Sequence, residues 1–310
     1  MRVPGGTFLV TCTTHDSRFL LKPDTVVEQV VRYCLARAAK TYGVLVHAIT
    51  VESSHLHMVA TDSRGQLSDF MTWFNRHVAV CLLEHHRRRF PERRLEALWS
   101  RNSFNATLLV TSNAILDAIV YTLTNCVKDG LVPDYRKWPG LCSRPRDWLA
   151  SERAVVRPRL FFNSAKPEHA EVRFRFTVPP QFADRDAERF VAEVEALIRD
   201  EQTAIRARRA GKPFVGARAV LATDPFDAPS NQRPRGSRNP TVKASNDTAA
   251  YDRARQAVRA FRESYRTAWR RFAQGLHAIF PAGTLLMRNR YGVRCEPDDF
   301  GWCCRAPALA

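Results

Sequence analysis

Over the first 130 residues the hydrophobic period switches repeatedly between two and 3.6, and that alternation leaves few folds open to the chain. Thr7–Thr14 is β-branched and apolar and reads as a strand. Pro23 and Asp24 open a helical run, Thr25–Lys40, with Val27, Val30, Val31, Cys34, Leu35 and Ala38 on one face. Val44–Val51 and Leu56–Thr61 read as two strands joined by a tight turn at Glu52-Ser53-Ser54. Gln66–His86 is a long amphipathic helix, Phe104–Thr111 a fourth strand, and Ser112 or Asn113 caps a last helix running to about Lys128. Gly130 stops that helix. The order β-α-β-β-α-β-α predicts an α+β fold, a ferredoxin-like antiparallel sheet with flanking helices.

The second half has a different grain. Arg159–Phe162 and Glu171–Val178 read as strands, and Asp184–Arg209 and Tyr251–Phe280 as long helices. Between those helices, Asp224–Asn246 is rich in Pro, Ser, Asn and Arg and reads as an exposed basic loop. The expected organisation is therefore a domain over 1–148 and a basic, α-rich extension over 149–310. Residues 1–150 hold 19 basic and 13 acidic groups, and residues 151–310 hold 29 and 18, so the extension is the more basic half and is expected to add nucleic-acid surface.

The net charge of +17 favours a polyanionic partner, nucleic acid first among them. All but seven of the 48 basic residues are Arg, the better side chain for bidentate phosphate contacts, although a GC-rich genome produces the same bias. The eight Cys form no CxxC pair or regular framework, which fits buried free thiols in a reducing cytoplasm. The apolar run at Phe8–Val10 is too short for a signal peptide or a membrane span, so no membrane partner is expected.

One constellation carries chemistry. His55 and His57, at i and i+2 on a predicted strand, share a face while Leu56 points the other way, forming a two-imidazole clamp suited to a metal. Two unrelated surface histidines give the same pattern. Tyr121 and Asn125, four apart on the last helix, also share a face. In a phosphodiester-nicking site the tyrosine oxygen attacks phosphorus. A Mg²⁺ or Mn²⁺ held by His55, His57 and Asn125 polarises the phosphate. The spacing fits equally well a helix-surface tyrosine followed by a polar residue near the helix end.

Four motifs in order then resemble the REP-associated tyrosine transposases, single-tyrosine members of the HUH superfamily. Gly6-Thr-Phe-Leu-Val-Thr followed by Arg18-Phe-Leu-Leu resembles that family's first strand, and Val44–Ala60, containing His55-Leu56-His57, resembles its HUH strand pair. Leu98-Trp99-Ser100-Arg101 resembles its Leu-Trp-Gln-Arg element. Tyr121-Thr-Leu-Thr-Asn125-Cys126-Val-Lys-Asp-Gly130 resembles its Tyr-Ile-x-x-Asn-Pro-Val-Arg-x-Gly helix end. The resemblance covers about residues 1–145. It implies the HUH nuclease fold, His55, His57 and Asn125 as metal ligands, and Tyr121 as a nucleophile forming a 5′-phosphotyrosine and releasing a 3′-OH. It further implies a single-stranded or hairpin DNA substrate, DNA transposition or mobilisation of REP-type hairpins, and a possible homodimer. The alternative is a domesticated, catalytically weak protein that binds the same DNA. Two positions depart from the family pattern: Ser53 and Ser54 stand where Pro or Asn precedes the first histidine, and Cys126 stands in place of Pro.

Other residues carry weaker expectations. Arg87, Arg88 and Arg89, with Arg93, Arg94 and Arg101, suit a DNA backbone track, or form a solvated charge run. His85 and His86 are expected at the surface and His47 in the core or facing away from His55. Asp117 suits a salt bridge, or the orientation of Tyr121. Trp99, Trp138 and Trp302 are expected to be packed, with base stacking as the alternative. A metallo-β-lactamase-like nuclease fails because Val59 and Ala60 stand where its HxHxDH run needs Asp and His. A replication-initiator or relaxase role shares the chemistry and stays open.

Overall fold

The structure is a computed structural model that describes residues 3–101, 104–158, 169–230, 241–297, 300–301 and 303–305. Its first half runs β1 (Gly6–Thr13), α1 (Thr25–Tyr42), β2 (Val44–Val51), β3 (His55–Asp62), α2 (Leu67–Arg89), β4 (Asn105–Leu109) and α3 (Ser112–Lys128). The caps are local side chains. Asp24 accepts from the Val26 N–H to start α1, and Gly43 ends it at φ 65°, where a Cβ would strike the Arg64 side chain. The Asp62 carboxylate takes the N–H groups of Gln66 and Leu67 at the start of α2. Thr111 caps α3, one residue before the position expected from sequence, because its Oγ1 reaches the Ala114 N–H.

The strands lie in the order β2-β3-β1-β4, each pair antiparallel, and a fifth strand, β7 (Val242–Lys243), adds to β4 in parallel. The α+β class is as the sequence predicts, but the sheet is mixed rather than purely antiparallel. The correction comes from the second half, where a segment expected to be wholly exposed loop supplies β7 and buries Val242.

Two contacts from neighbouring residues of β1 define the sheet's faces. Cys12 bonds Asn75 of α2, whereas Thr11 bonds His57. Successive strand residues point to opposite faces, so α1 and α2 cover one face and the HxH pair looks out of the other, where α3 packs.

The second half runs β5 (Arg153–Val156), β6 (Glu171–Phe174), α4 (Ala187–Arg208), α5 (Ala217–Ala222), β7, and α6 (Thr248–Ala273). The strand expected at 159–162 lies outside the described residues; the observed partner of β6 is Arg153–Val156. β6 stops at Phe174, short of the expected Val178, because the Thr177 N–H turns away to bond the Val46 carbonyl. The last long helix ends at Ala273 rather than 280, where Gln274 caps it and Gly275 adopts φ 72°. His86 is buried rather than superficial, with its Nε2 2.9 Å from the Leu20 carbonyl oxygen. The eight Cys are all free, and among the described residues no helix is long and apolar enough to cross a membrane.

The halves share one hydrophobic core and a buried polar chain through it. His47 sits at the β2 register shift between Val46 and Ala48, which turns its ring inward to Thr61 on one side and the Thr177 carbonyl on the other. The carbonyl can only accept, so Nδ1 carries the proton and Nε2 accepts from the Thr61 hydroxyl. Thr61 then accepts from Thr7, and Thr7 from the Gln181 amide, so every donor in the chain runs one way. Burial lowers the His47 pKa from 6.5 to about 4, despite the opposing bond to Thr177.

That chain needs a neutral imidazole, which fixes a sign. The folded pKa is depressed, so the unfolded chain binds the proton first, and stability present above about 6.5 is lost as pH falls towards 4. The group contributes up to ~3 kcal/mol across this window. Denaturant unfolding at pH 7 and pH 5 is expected to show this loss. His47→Gln, which can donate to Thr177 and accept from Thr61 without titrating, should make it shallower and leave the shares of His55, His57 and His86. An unchanged slope in that variant would contradict the assignment.

Candidate active site

The β2–β3 turn and the C-terminal half of α3 meet on the open face of the sheet, and every candidate catalytic group lies there. Antiparallel pairing sets His55 opposite Thr13 and His57 opposite Thr11, so both imidazoles face α3 with ring centroids 4.9 Å apart. Leu56 between them is fully buried on the other face. α3 is seated by Ile115, Ala118, Ile119, Thr122, Leu123 and Cys126, which are buried, and this rotation turns Tyr121 and Asn125 towards the histidines.

The contacts join the expected residues in two pairs. Tyr121 meets His57 edge to face, ring centroids 5.1 Å apart, and the Lys128 ammonium lies 4.6 Å over the tyrosine ring. Asn125 places its Nδ2 3.0 Å from His55 Nε2 and 2.8 Å from Glu52 Oε1. Donation from an amide to His55 Nε2 requires that nitrogen to be unprotonated, so Nδ1 carries the hydrogen, 3.1 Å from Ser54 Oγ. His57 Nδ1 is held 2.9 Å from Thr11 Oγ1, which leaves its Nε2 for the site.

Two carboxylates join them that the sequence reading did not single out. Glu52 and Asp129, together with His55, present ligand atoms all within 4.8 Å of one another. In the sequence Glu52 reads as a turn residue, and Asp129 appears only as a position within the Tyr121–Gly130 motif. The available signal was the spacing Glu-x-x-His-x-His, a charged residue in a turn between two strands that are otherwise buried. Burial, and then the charge of Asp129, push the Glu52 carboxyl well above the usual carboxylate range, and the Asn125 hydrogen bond only partly offsets this. Burial lowers both imidazoles, His57 further because His55 and Lys128 lie beside it.

This donor set fits a divalent cation. A buried carboxylate bonded to one amide, with a second carboxylate nearby and two imidazoles held neutral, is an arrangement that positive charge completes. Carboxylate oxygens with imidazole suit Mg²⁺ or Mn²⁺. For Asn125 to ligate through oxygen its amide turns over, placing Oδ1 where Nδ2 now faces His55.

The serines have a local explanation, and nothing in the structure explains the Cys at 126. The Ser54 carbonyl accepts from both the N–H and the hydroxyl of Thr14, the Ser53 carbonyl accepts from Leu21, and Ser54 Oγ contacts His55, so the serines brace the turn. Cys126 is buried in α3, and its carbonyl receives the N–H groups of Leu131 and Val132 as the helix closes.

The other candidates lie apart. Arg87, Arg88 and Arg89 form the last turn of α2, on the opposite face of the sheet, where Glu84 pairs with the first two and Asp24 with the third. Arg101 is exposed. Asp117 bonds Ser245 and lies 4.0 Å from Lys243 rather than reaching the tyrosine. The indoles of Trp99 and Trp138 are buried and donate to the Asn75 and Val51 carbonyls; Trp302 lies outside the described residues.

No protein-family model matches the chain, and no curated protein matches it. Among solved structures it is similar to a REP-associated tyrosine transposase bound to a REP hairpin, at 17% identity and TM-score 0.39, over 53% of this chain and 86% of that one. It is also similar to a chain described as a transposase from Deinococcus radiodurans R1, at 14% identity and TM-score 0.26, over 34% and 78%. A third likeness is to tRNA(His) guanylyltransferase from Saccharomyces cerevisiae, at 14% and 0.30, over 41% and 61%. Likenesses of this size, to proteins of different activities, do not select a chemistry.

Glu52→Gln is expected to act in opposite directions on two quantities. It removes the cost of keeping a buried carboxyl protonated at neutral pH, so the metal-free variant should unfold at a higher temperature than the parent at pH 7. It also removes one of the three groups placed to hold a cation, so Mn²⁺ affinity by calorimetry should fall at least ~10-fold. Unchanged Mn²⁺ affinity would remove Glu52 from the site.

Proposed function

We propose that this protein is a divalent-metal-dependent DNA strand transferase that nicks and rejoins single-stranded or hairpin DNA through Tyr121, as a REP-associated tyrosine transposase of the HUH superfamily. The observation that carries the reading is that one helix brings Tyr121 to His57 and Asn125 to His55 and Glu52 on a single face. The sheet order β2-β3-β1-β4, reached through β-α-β-β-α-β, supports the ferredoxin-like arrangement on which such a site is built.

In the proposed reaction the Tyr121 oxygen attacks the scissile phosphorus. The O–P bond to tyrosine forms as the bond to the 3′-oxygen breaks; the phenol gives up its proton and the departing 3′-oxygen takes one up. The 5′-phosphate stays on Tyr121, and attack by a 3′-OH on the phosphotyrosine reverses the step without ATP. A bound Mg²⁺ or Mn²⁺ supplies Lewis-acid polarisation of the phosphate, held by His55 with Glu52, His57, Asn125 or Asp129. His57 packs against the tyrosine ring and orients it. Lys128 places positive charge beside the attacked phosphate.

End-labelled hairpins from the flanks of the gene, incubated with Mn²⁺ or Mg²⁺ and resolved on a denaturing gel, test the reading. A metal-dependent protein–DNA adduct is expected, lost by at least ~10³-fold in Tyr121→Phe. Lys128→Ala is expected to slow its formation ~10²-fold. Binding with no adduct for any hairpin or either metal would leave a DNA-binding protein without strand transfer.

A further inference from the structure

Beyond the outer edge of β2, where residues 141–143 bond along the strand, a cavity of about 350 Å³ opens between α1, the segment 135–155 and β6, separate from the tyrosine site. Arg32, Arg136, Arg144, Arg153 and Arg175 line it, with one carboxylate, Asp147, among them. That carboxylate takes the Arg144 backbone N–H at 2.8 Å, closing a turn. Arg32 is paired with Glu28, but Arg144, Arg153 and Arg175 are exposed and form no ion pair among the described residues. Tyr135 and Trp138 back the inner wall as buried rings, Arg136 lying over the first, and Phe174 is the half-buried aromatic that lines the cavity. Trp138 is fixed in place by its bond to the Val51 carbonyl.

The cavity lies on the α1 side of the sheet and connects to the HxH strand through β2. Its Cys142 bridges to Thr50 of β2, which is the register partner of His57. Two strand spacings, roughly 10 Å, therefore separate this wall from the HxH strand. Unpaired guanidinium groups at the rim recognise phosphates, and a half-buried ring such as Phe174 accepts a nucleobase by stacking. The volume lies at the low end for small-ligand sites and suits one nucleotide whose base is not stacked in a duplex.

We infer that this cavity binds an unpaired nucleotide of the DNA single strand flanking the scissile phosphate, with Arg144, Arg153 and Arg175 on the phosphates and Phe174 against the base. The inference rests on the strand-transferase reading for its substrate, and it assigns the second half of the chain a share in substrate recognition.

The test uses the full chain with Tyr121→Phe, so that DNA binds without being cleaved, and a fluorescent hairpin with a single-stranded flank. Adding Arg144→Gln, Arg153→Gln and Arg175→Gln should weaken binding at least tenfold and reduce the salt slope by about 2, three single-strand phosphate contacts at ~0.7 each. The same triple change on the exposed α6 residues Arg255, Arg259 and Arg266 should cost clearly less affinity, and a blunt duplex without the flank should not distinguish the two triples. An iodouracil placed in the flank should photo-crosslink to the peptide containing Phe174. Equal losses from both triples, an unchanged slope, or crosslinks only elsewhere would overturn the inference. If the protein with Tyr121 intact still forms its adduct, that failure belongs to the cavity alone. If it forms none while the flank still binds through these arginines, the nicking reading falls and the cavity stands.

Discussion

The site depends on the pairing register of β1 with β3. Thr13 opposite His55 and Thr11 opposite His57 put both imidazoles on the face that α3 covers, and put Leu56 and Met58 into the layer beneath α1 and α2. A slip of one residue would exchange these sets, burying two imidazoles in an apolar core and turning Leu56 and Met58 towards the reaction face. Several contacts resist that slip. Thr11 holds His57, Cys12 meets Asn75 on the opposite face, and Asp62 at the far end of β3 caps α2.

The second half then fixes the helix that carries the tyrosine. α4 lies along α3, and the chain leaving α3 is bound to it: Gln202 accepts from the Tyr135 N–H, and Val215 and Gly216 donate to the carbonyls of Gly130 and Leu131. Gly130 has φ 77° and faces the Arg209 guanidinium at a separation no Cβ would tolerate. The directional chain from Gln181 through Thr7, Thr61 and His47 to the Thr177 carbonyl ties the same half to β1, β2 and β3. A reactive site is only as well placed as the residues behind it, and here many of those residues belong to the extension.

Much of the first half was legible because its elements are long and strongly periodic. The β-α-β-β-α-β-α order and the sharing of faces by His55 with His57 and Tyr121 with Asn125 follow from periods of two and 3.6. Glu52 and Asp129 were not legible, because each sits in a turn, and a carboxylate in a turn signals nothing until the fold places it beside an imidazole. His86 looked superficial beside a run of arginines, yet the Leu20 carbonyl draws its ring inward. β7 was hidden in a polar segment because a two-residue strand is too short to show a period, and its parallel pairing with β4 depends on contacts distant in sequence.

The most direct test of the central claim is to digest the protein–DNA product and identify by mass spectrometry the residue that carries the nucleotide. The account predicts a single modified peptide containing Tyr121, linked to the 5′-phosphate, formed only with metal and accompanied by a free 3′-OH on the released strand. A 5′-phosphate released to solvent with no peptide attached, or a nucleotide on another side chain, would show that Tyr121 is not the nucleophile and would contradict the account.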